Sequence, residues 1–153
     1  MLKHWLSKSH SFISTEQLKK IEQAISESEK LSSGEIRVFL TPHCSTHSDA
    51  LHAAQHHFTK LEMWKTKERN GILIYIAYKS KKMAIFADQG IHEKMGSAFW
   101  DKNVQTMIQH FKNKNIVDGL IEMITECGQA LATHFPYNPE NDTNELSNEI
   151  IFK

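Results

Sequence analysis

Two apolar runs in the middle of the chain predict the centre of the fold. Residues 72–78 carry only aliphatic and tyrosine side chains, a run too short to cross a bilayer and too continuous to alternate in polarity. Such a run is typical of a strand that is buried on both faces. A second β-prone run, at 83–87, follows a short basic turn. Together they predict an antiparallel hairpin, which brings Asp88 back beside Arg69 and Asn70.

Helical periodicity flanks this hairpin on both sides. Ser14 with Gln17 three positions later forms a capping box before the first amphipathic stretch. A second such stretch lies near 50–63, and two more begin near Ser97 and Asn115. The stripes predicted to face the core contain Leu18, Ile21, Ile25 and Leu31 in the first helix, Leu51, Ala54, Phe58 and Leu61 in the second, Trp100, Val104, Met107, Ile108 and Phe111 in the third, and Leu120, Ile121, Ile124, Cys127, Leu131 and Phe135 in the fourth.

The order of these elements predicts the architecture. A first strand at 35–40 ends at Thr41 and Pro42 and is followed by a helix and then by the buried strand. A strand, a helix and a second strand of the same sheet form a right-handed βαβ unit, in which the two strands are parallel. We therefore expect an α/β fold, a three-layer α/β/α sandwich around a small mixed sheet that contains this βαβ unit and the antiparallel hairpin.

Composition divides the chain into three parts. Residues 1–13 form an N-terminal extension, 14–136 the folded domain, and 137–153 a polar tail rich in Asn and Glu. A tail of this kind is typical of a mobile segment. Its residues 150–152 are apolar, which allows docking on the domain or on a partner, although fraying is the commoner behaviour of a terminus.

Charge and hydropathy narrow the class of function. The 153 residues include 18 basic and 18 acidic side chains, so there is no net field to concentrate nucleic acid, and we expect no nucleic-acid partner. No apolar run approaches the roughly 20 residues of a membrane span, and residues 1–12 lack the apolar core of a signal peptide. We expect a cytoplasmic protein that does not span a membrane.

Five short segments resemble the TPM domain family, which is named for thylakoid, photosystem II repair and acetylcholine-receptor modulator proteins. They are Ser-Gly-Glu-Ile-Arg-Val at 33–38, Arg-Asn-Gly-Ile-Leu-Ile at 69–74, Ala-Asp-Gln-Gly-Ile at 87–91, Phe-Trp-Asp at 99–101 and Gly-Leu-Ile at 119–121. The resemblance, closest to a soluble bacterial subgroup, implies the sandwich fold. It also implies a phosphatase-like domain, with calcium binding in some members and a role in envelope or stress maintenance.

The predicted topology gathers polar side chains at one end of the sheet. Glu35 begins the first strand, Asn70 precedes the second and Asp88 follows the third. The segment after Asp88, read as a loop, adds Glu93 and Asp101. Carboxylate and amide oxygens are hard ligands, so these five residues predict a calcium or magnesium site. The alternative is that the acids are helix caps and surface ion pairs, which are common at strand ends.

Two functions from different classes follow. The preferred one is a binding module for a divalent cation or a protein partner, including a membrane-associated partner. The alternative is a metal-assisted phosphatase that acts on phosphomonoesters, with Asp88 and Arg69 as its catalytic residues, the metal as Lewis acid and the guanidinium on the phosphate. The chain is expected to be a binding protein rather than an enzyme.

A histidine pair offers a weaker metal motif. His52 and His56 have the i, i+4 spacing that places two imidazoles on one helix face. The glutamate of a zinc protease motif is replaced by Ala53, and the pair lies opposite the apolar stripe of its helix. We therefore expect both histidines on a solvated face.

Overall fold

The computed structural model describes residues 13–44, 49–139 and 150–152. The elements of this part of the chain are α1 (Thr15–Glu29), β1 (Glu35–Thr41), α2 (Ala50–Lys60), β2 (Gly71–Ala77), β3 (Lys82–Ala87), α3 (Gln89–Met95), α4 (Ser97–Lys112), α5 (Ile116–His134) and β4 (Ile150–Phe152). Among these described residues, no helix is both long enough and apolar enough to cross a membrane.

The four strands form one mixed sheet in the order β3-β2-β1-β4. β1 is parallel to β2, with Glu35 opposite Gly71, and β2 is antiparallel to β3, with Ile74 opposite Ile85. These pairings confirm the βαβ unit and the hairpin. Every residue of β2 is buried, as its continuous apolar sequence predicts.

The sheet separates two hydrophobic cores, which completes the three-layer sandwich. The larger core packs one face of the sheet against α1, α3, α4 and α5 and contains Ile36, Ile74 and Ile85. The smaller core packs the other face against α2 and contains Phe39 and Tyr75. This alternation follows from the period of two along a strand, because successive side chains point to opposite faces.

The first helix begins as its sequence predicts. The Ser14 hydroxyl accepts a hydrogen bond from the Gln17 backbone N–H, and the Ser14 N–H donates to the Gln17 side chain, so the capping box is formed. The helices predicted to begin near Ser97 and Asn115 also begin there, but without side-chain capping bonds. Gly96 rather than Ser97 occupies the N-cap position of α4, and Asn115 precedes α5 without a side-chain capping bond.

Several other details differ from the sequence-based expectations. Leu31 and Leu51 are exposed, because α1 ends before Leu31 and Leu51 lies off the buried face of α2. The second helix ends at Lys60, short of the predicted 63. The segment after Asp88, which we expected to be a loop, forms α3 and the start of α4. A helix is favoured there because Asp88 caps it and Ile91 is buried in the larger core.

The two ends of the chain pack more closely than predicted where the structure describes them. Ile150–Phe152 pairs in parallel with β1, so fraying is the wrong expectation for these three residues. Ile13, assigned to the extension, is buried in the larger core. Both observations have one cause. Burying isoleucine side chains stabilises the fold enough to offset the conformational entropy that is lost when a terminus becomes ordered. The boundaries at 13/14 and 136/137 otherwise stay predictions, and residues 1–12 and 140–149 lie outside the described part.

Candidate functional site

Two glutamates meet where α1 leads into β1. The Glu29 Oε2 atom accepts a hydrogen bond from the Ile36 N–H at 3.1 Å, which holds the partly buried carboxyl group against the start of the strand. Glu35 is buried and hydrogen bonds to Glu29. This end of the sheet therefore holds two adjacent acids that share a hydrogen bond.

The pKa of Glu29 reflects this environment. Burial raises it from the ordinary value of 4.5 to about 10, and the hydrogen bond and the negative charge of Glu35 act in the same direction. The Ile36 N–H and the positive charge of Arg37 oppose the change. At neutral pH the pair therefore keeps a proton unless a cation replaces it.

Asn70 completes the polar cluster from the neighbouring strand. Its side chain is buried, and its Nδ2 group donates to the Ser33 hydroxyl at 3.1 Å. Its backbone carbonyl lies 3.5 Å from the Glu35 N–H, which places Asn70 beside the start of β1. Its side-chain oxygen, Oδ1, is buried and accepts no hydrogen bond from the described residues. A buried acceptor without a donor is rare, because it loses its bonds to water and gains none.

Asp88 is close to Arg69, as the hairpin predicts. The Arg69 Nε and Nη2 groups donate to the two carboxylate oxygens at 2.7 and 2.8 Å, and the Gln89 N–H donates to Oδ1 at 2.8 Å. The hydrogen bond and the charge of Asp88 raise the pKa of Arg69. Asp88 is thus a helix cap in a bidentate ion pair, which is the alternative role considered for strand-end acids.

The structure divides the predicted ligand set between two places. Asp88 is two strands away from Glu35, a separation of about 10 Å at the usual strand spacing. Glu93 and Asp101, both exposed, lie with Asp88 along a groove at the outer edge of β3. Within residues 13–44, 49–139 and 150–152, no three His, Cys, Asp or Glu side chains are grouped to hold a metal. The metal roles of Asp88, Glu93 and Asp101 stay predictions.

Two histidines of α2 are exposed to solvent, whereas a third histidine and both cysteines pack against other side chains. His52 and His56 are exposed, while the His57 ring stacks on Phe39 at a centroid distance of 4.0 Å. Cys44 is buried in the smaller core. Cys127 is fully buried, and burial raises the pKa of its thiol to about 12, so it is not a reactive thiolate.

Sequence reasoning missed Glu29. The signal was present, because Glu29 follows Ile21 and Ile25 at helical spacing and so continues the apolar stripe of α1 with an acid. A carboxyl group on the buried face of an amphipathic helix requires a partner. Its partner, Glu35, is only six residues ahead but is brought there by a turn that no helical pattern describes.

Comparison with known proteins identifies the family. The TPM domain profile matches residues 6–130. The NMR structure of the BA42 protein from the psychrophilic bacterium Bizionia argentinensis is 37% identical, with a TM-score of 0.84 over 96% of this chain and 99% of BA42.

A second solved structure has the same fold at lower identity. The N-terminal domain of the cg2496 protein from Corynebacterium glutamicum is 13% identical, with a TM-score of 0.61 over 78% of this chain and 74% of that domain. No curated protein matches the sequence. The sequence profile and the similarity to BA42 agree with the sheet order and the layers described above. The chain belongs to the TPM domain family.

Proposed function

We propose that this protein is a TPM binding module that takes a hard divalent cation, calcium or magnesium, at Glu29 and Glu35 beside Asn70. The observations that carry the proposal are the contact between the Glu29 and Glu35 carboxyl groups and the buried Asn70 Oδ1 atom, to which no described residue donates a hydrogen bond. Carboxylate and amide oxygens are the ligands that these two ions prefer. A cation bound there would replace the proton that the two carboxyl groups share.

The charge of the cluster has to be neutralised by a proton or by a cation. Two carboxyl groups in contact cannot both ionise at low cost, so one of them keeps a proton or a positive ion neutralises both. Calcium takes six to eight oxygen ligands and magnesium about six, so backbone carbonyls and water would supply the rest.

The phosphatase alternative has less support from the geometry. Arg69 Nε and Nη2 both donate to Asp88, so the two proposed catalytic groups bind each other. Calcium-dependent hydrolysis of a phosphomonoester that disappears in both Arg69→Ala and Asp88→Asn would overturn the binding-module assignment. We expect no such turnover.

Thermal denaturation tests the cation site directly. After treatment with EDTA, the protein should melt about 5–10 °C higher in calcium or magnesium at a concentration near 100 times Kd, because an ion that binds only the folded state adds about 2.7 kcal/mol. Glu29→Gln should lose most of this gain, since the amide keeps the shape but not the charge.

Two further variants locate the ion. Glu27→Gln is the matched control, because Glu27 lies on the same helix but is exposed. Asp88→Asn distinguishes the cluster from the larger ligand set predicted from sequence, and we expect it to keep the gain. The proposal is wrong if neither ion stabilises the protein, or if Glu29→Gln retains the full shift.

A further inference from the structure

The sheet has one covered edge and one open edge. β4 pairs with β1 along one side, whereas β3 forms the other side. No strand in residues 13–44, 49–139 or 150–152 pairs with the outer side of β3. Open edges are a hazard that proteins usually cover, and they also serve as docking sites for extended peptides.

The alternating direction of the backbone hydrogen bonds shows which residues of β3 have N–H and C=O groups that do not face β2. The Asp88 N–H donates to the Gly71 carbonyl at 2.9 Å, which fixes the side of β3 that faces β2. Backbone groups alternate in direction along an antiparallel strand, so those of Lys82, Ala84 and Phe86 also face β2. The N–H and C=O groups of the remaining three residues, Met83, Ile85 and Ala87, therefore face outward.

A groove of about 830 Å³ runs along this outward side. It lies between the two helical layers, with Leu51 of α2 on one wall and Trp100 and Val104 of α4 on the other. The Leu51 side chain is 55% exposed, which is unusual for a leucine beside a core. The Trp100 indole N–H is buried and has no acceptor among the described residues. Buried donors are nearly always hydrogen-bonded, so this N–H requires an acceptor that the described residues do not supply.

The ionisable side chains that line the groove are four acids and one histidine, His92. Asp49, Asp88, Glu93 and Asp101 line it, and none of its described lining residues is a lysine or an arginine. Asp88 is neutralised by Arg69, whereas Asp49, Glu93 and Asp101 are exposed and belong to none of the ion pairs found in the described residues. The groove thus combines an apolar floor with a negative rim.

We propose that the β3 edge groove binds an extended segment of a protein partner as a fifth strand, and that this segment alternates apolar side chains with lysine or arginine. The backbone groups of Met83, Ile85 and Ala87 supply the hydrogen bonds of the added strand. The apolar side chains point to the α2 face of the sheet and pack against Leu51, and the basic ones point to the opposite face and meet Glu93 and Asp101. This site is separate from the carboxyl cluster and does not depend on a cation.

NMR titration of the full-length, ¹⁵N-labelled protein tests the proposal. The probe is a seven-residue peptide that alternates lysine with valine. The amides of Met83, Ile85 and Ala87 should shift and exchange their hydrogens more slowly, because they become bonded to the peptide. The amides of Lys82, Ala84 and Phe86 are the internal reference, since β2 already binds them. No selective protection of the outward three would overturn the proposal.

Control peptides separate the two sources of affinity. A peptide with glutamate in place of lysine should bind more weakly if the rim selects positive charge. A peptide with methylated backbone nitrogens on the bonded side should lose binding if the added strand pairs with β3. Equal binding of either control would contradict the proposal.

Charge-reversal variants place the peptide on the surface. Glu93→Lys combined with Asp101→Lys should weaken binding of the lysine peptide about three- to tenfold, the range expected for two exposed charge pairs. The matched control is Glu16→Lys with Glu27→Lys, which reverses two exposed acids on α1. Leu51→Ala should also weaken binding, whereas Leu31→Ala, at an equally exposed leucine outside the groove, should not.

Two other occupants are distinguishable outcomes. A concentration-dependent dimer that protects the same three amides without peptide would make a second copy the occupant. Protection in the free protein that is lost on deletion of residues 1–12 would assign the groove to the chain's own N-terminal segment. Either result would overturn the proposal of a separate partner. Glu29→Gln should leave peptide binding unchanged, so failure of the cation site and failure of this groove are separable.

Discussion

At the scale of single residues, Glu29 shows how an acid on an apolar stripe acquires unusual chemistry. The helix that places Ile25 in the core also turns Glu29 towards the sheet, where Glu35 already lies. Glu35 is not exceptional in the sequence, whereas Glu29 places an acid on the apolar stripe of α1. Burial, together with the hydrogen bond and the negative charge of Glu35, raises the pKa of Glu29 to about 10, so the folded protein holds a proton that the unfolded chain releases near its ordinary value of 4.5.

This difference predicts a dependence of stability on pH. Between pH 4.5 and 10 the folded state binds the extra proton, so the free energy of unfolding should fall as pH rises, by at most about 1.4 kcal/mol per pH unit. The stabilisation is complete below pH 4.5 and is lost through the folded-state pKa. Urea denaturation in EDTA at pH 6, 7, 8 and 9 measures the slope. Glu29→Gln should flatten it, and an equal slope in the variant would contradict the assignment.

The Asp88 pair predicts coupling between two residues. The Asp88 side chain is 4% exposed and that of Arg69 49% exposed, so removing the guanidinium leaves a buried carboxylate. Arg69→Ala should therefore destabilise the protein, and adding Asp88→Asn should restore part of the loss, because the amide needs no counter-charge. A double-mutant cycle from urea denaturation measures this coupling.

An exposed ion pair provides the control for that cycle. Lys65 and Glu62 are 3.0 Å apart but more than half exposed, so Lys65→Ala should change stability by less than about 0.5 kcal/mol. Additive effects of Arg69→Ala and Asp88→Asn would show that the pair is not coupled.

At the scale of elements, hydrophobic pattern predicted the strands better than the short helices. The buried run of β2 and the short basic turn were sufficient for the hairpin, and the hairpin was sufficient to place Asp88 beside Arg69. α3 was missed because seven residues with one buried apolar side chain carry almost no periodic signal. Its helical state is decided by contacts with distant residues.

One of those contacts predicts a glycine requirement in α3. The Gly90 N–H donates to the Arg69 carbonyl at 2.7 Å, and a Cβ atom at Gly90 would collide with the Glu68 carbonyl oxygen and lie 2.7 Å from that of Arg69. Gly90→Ala should cost about 1–3 kcal/mol of stability, since backbone cannot move aside as a flexible side chain does.

A surface substitution on the same helix gives the comparison. Lys94→Ala, at an exposed position, should change stability by less than about 0.5 kcal/mol. Urea denaturation of both variants tests the difference. A Gly90→Ala protein as stable as Lys94→Ala would mean that α3 does not dock closely on the segment before β2.

At the scale of the whole molecule, sequence was sufficient for the layers but not for the polar cluster. The order of strands and helices predicts the sandwich because chain connectivity allows few arrangements. The polar cluster depends on which side chains of α1, β1 and β2 come into contact. Those contacts are determined by packing between elements, which local sequence patterns do not predict. Asn70, which the sequence suggested as a metal ligand, is buried at this end, whereas Glu29 was not selected.

The unequal cores on the two faces of the sheet have a consequence for motion. The face towards α2 is covered by one helix of eleven residues, whereas several helices cover the opposite face. The part of a protein that opens first is the part that loses the fewest buried apolar contacts. We therefore expect the α2 layer to detach at a lower free energy than global unfolding. Such an opened state would expose Phe39, Leu73 and Tyr75 together, a flat apolar surface from which association between molecules could begin.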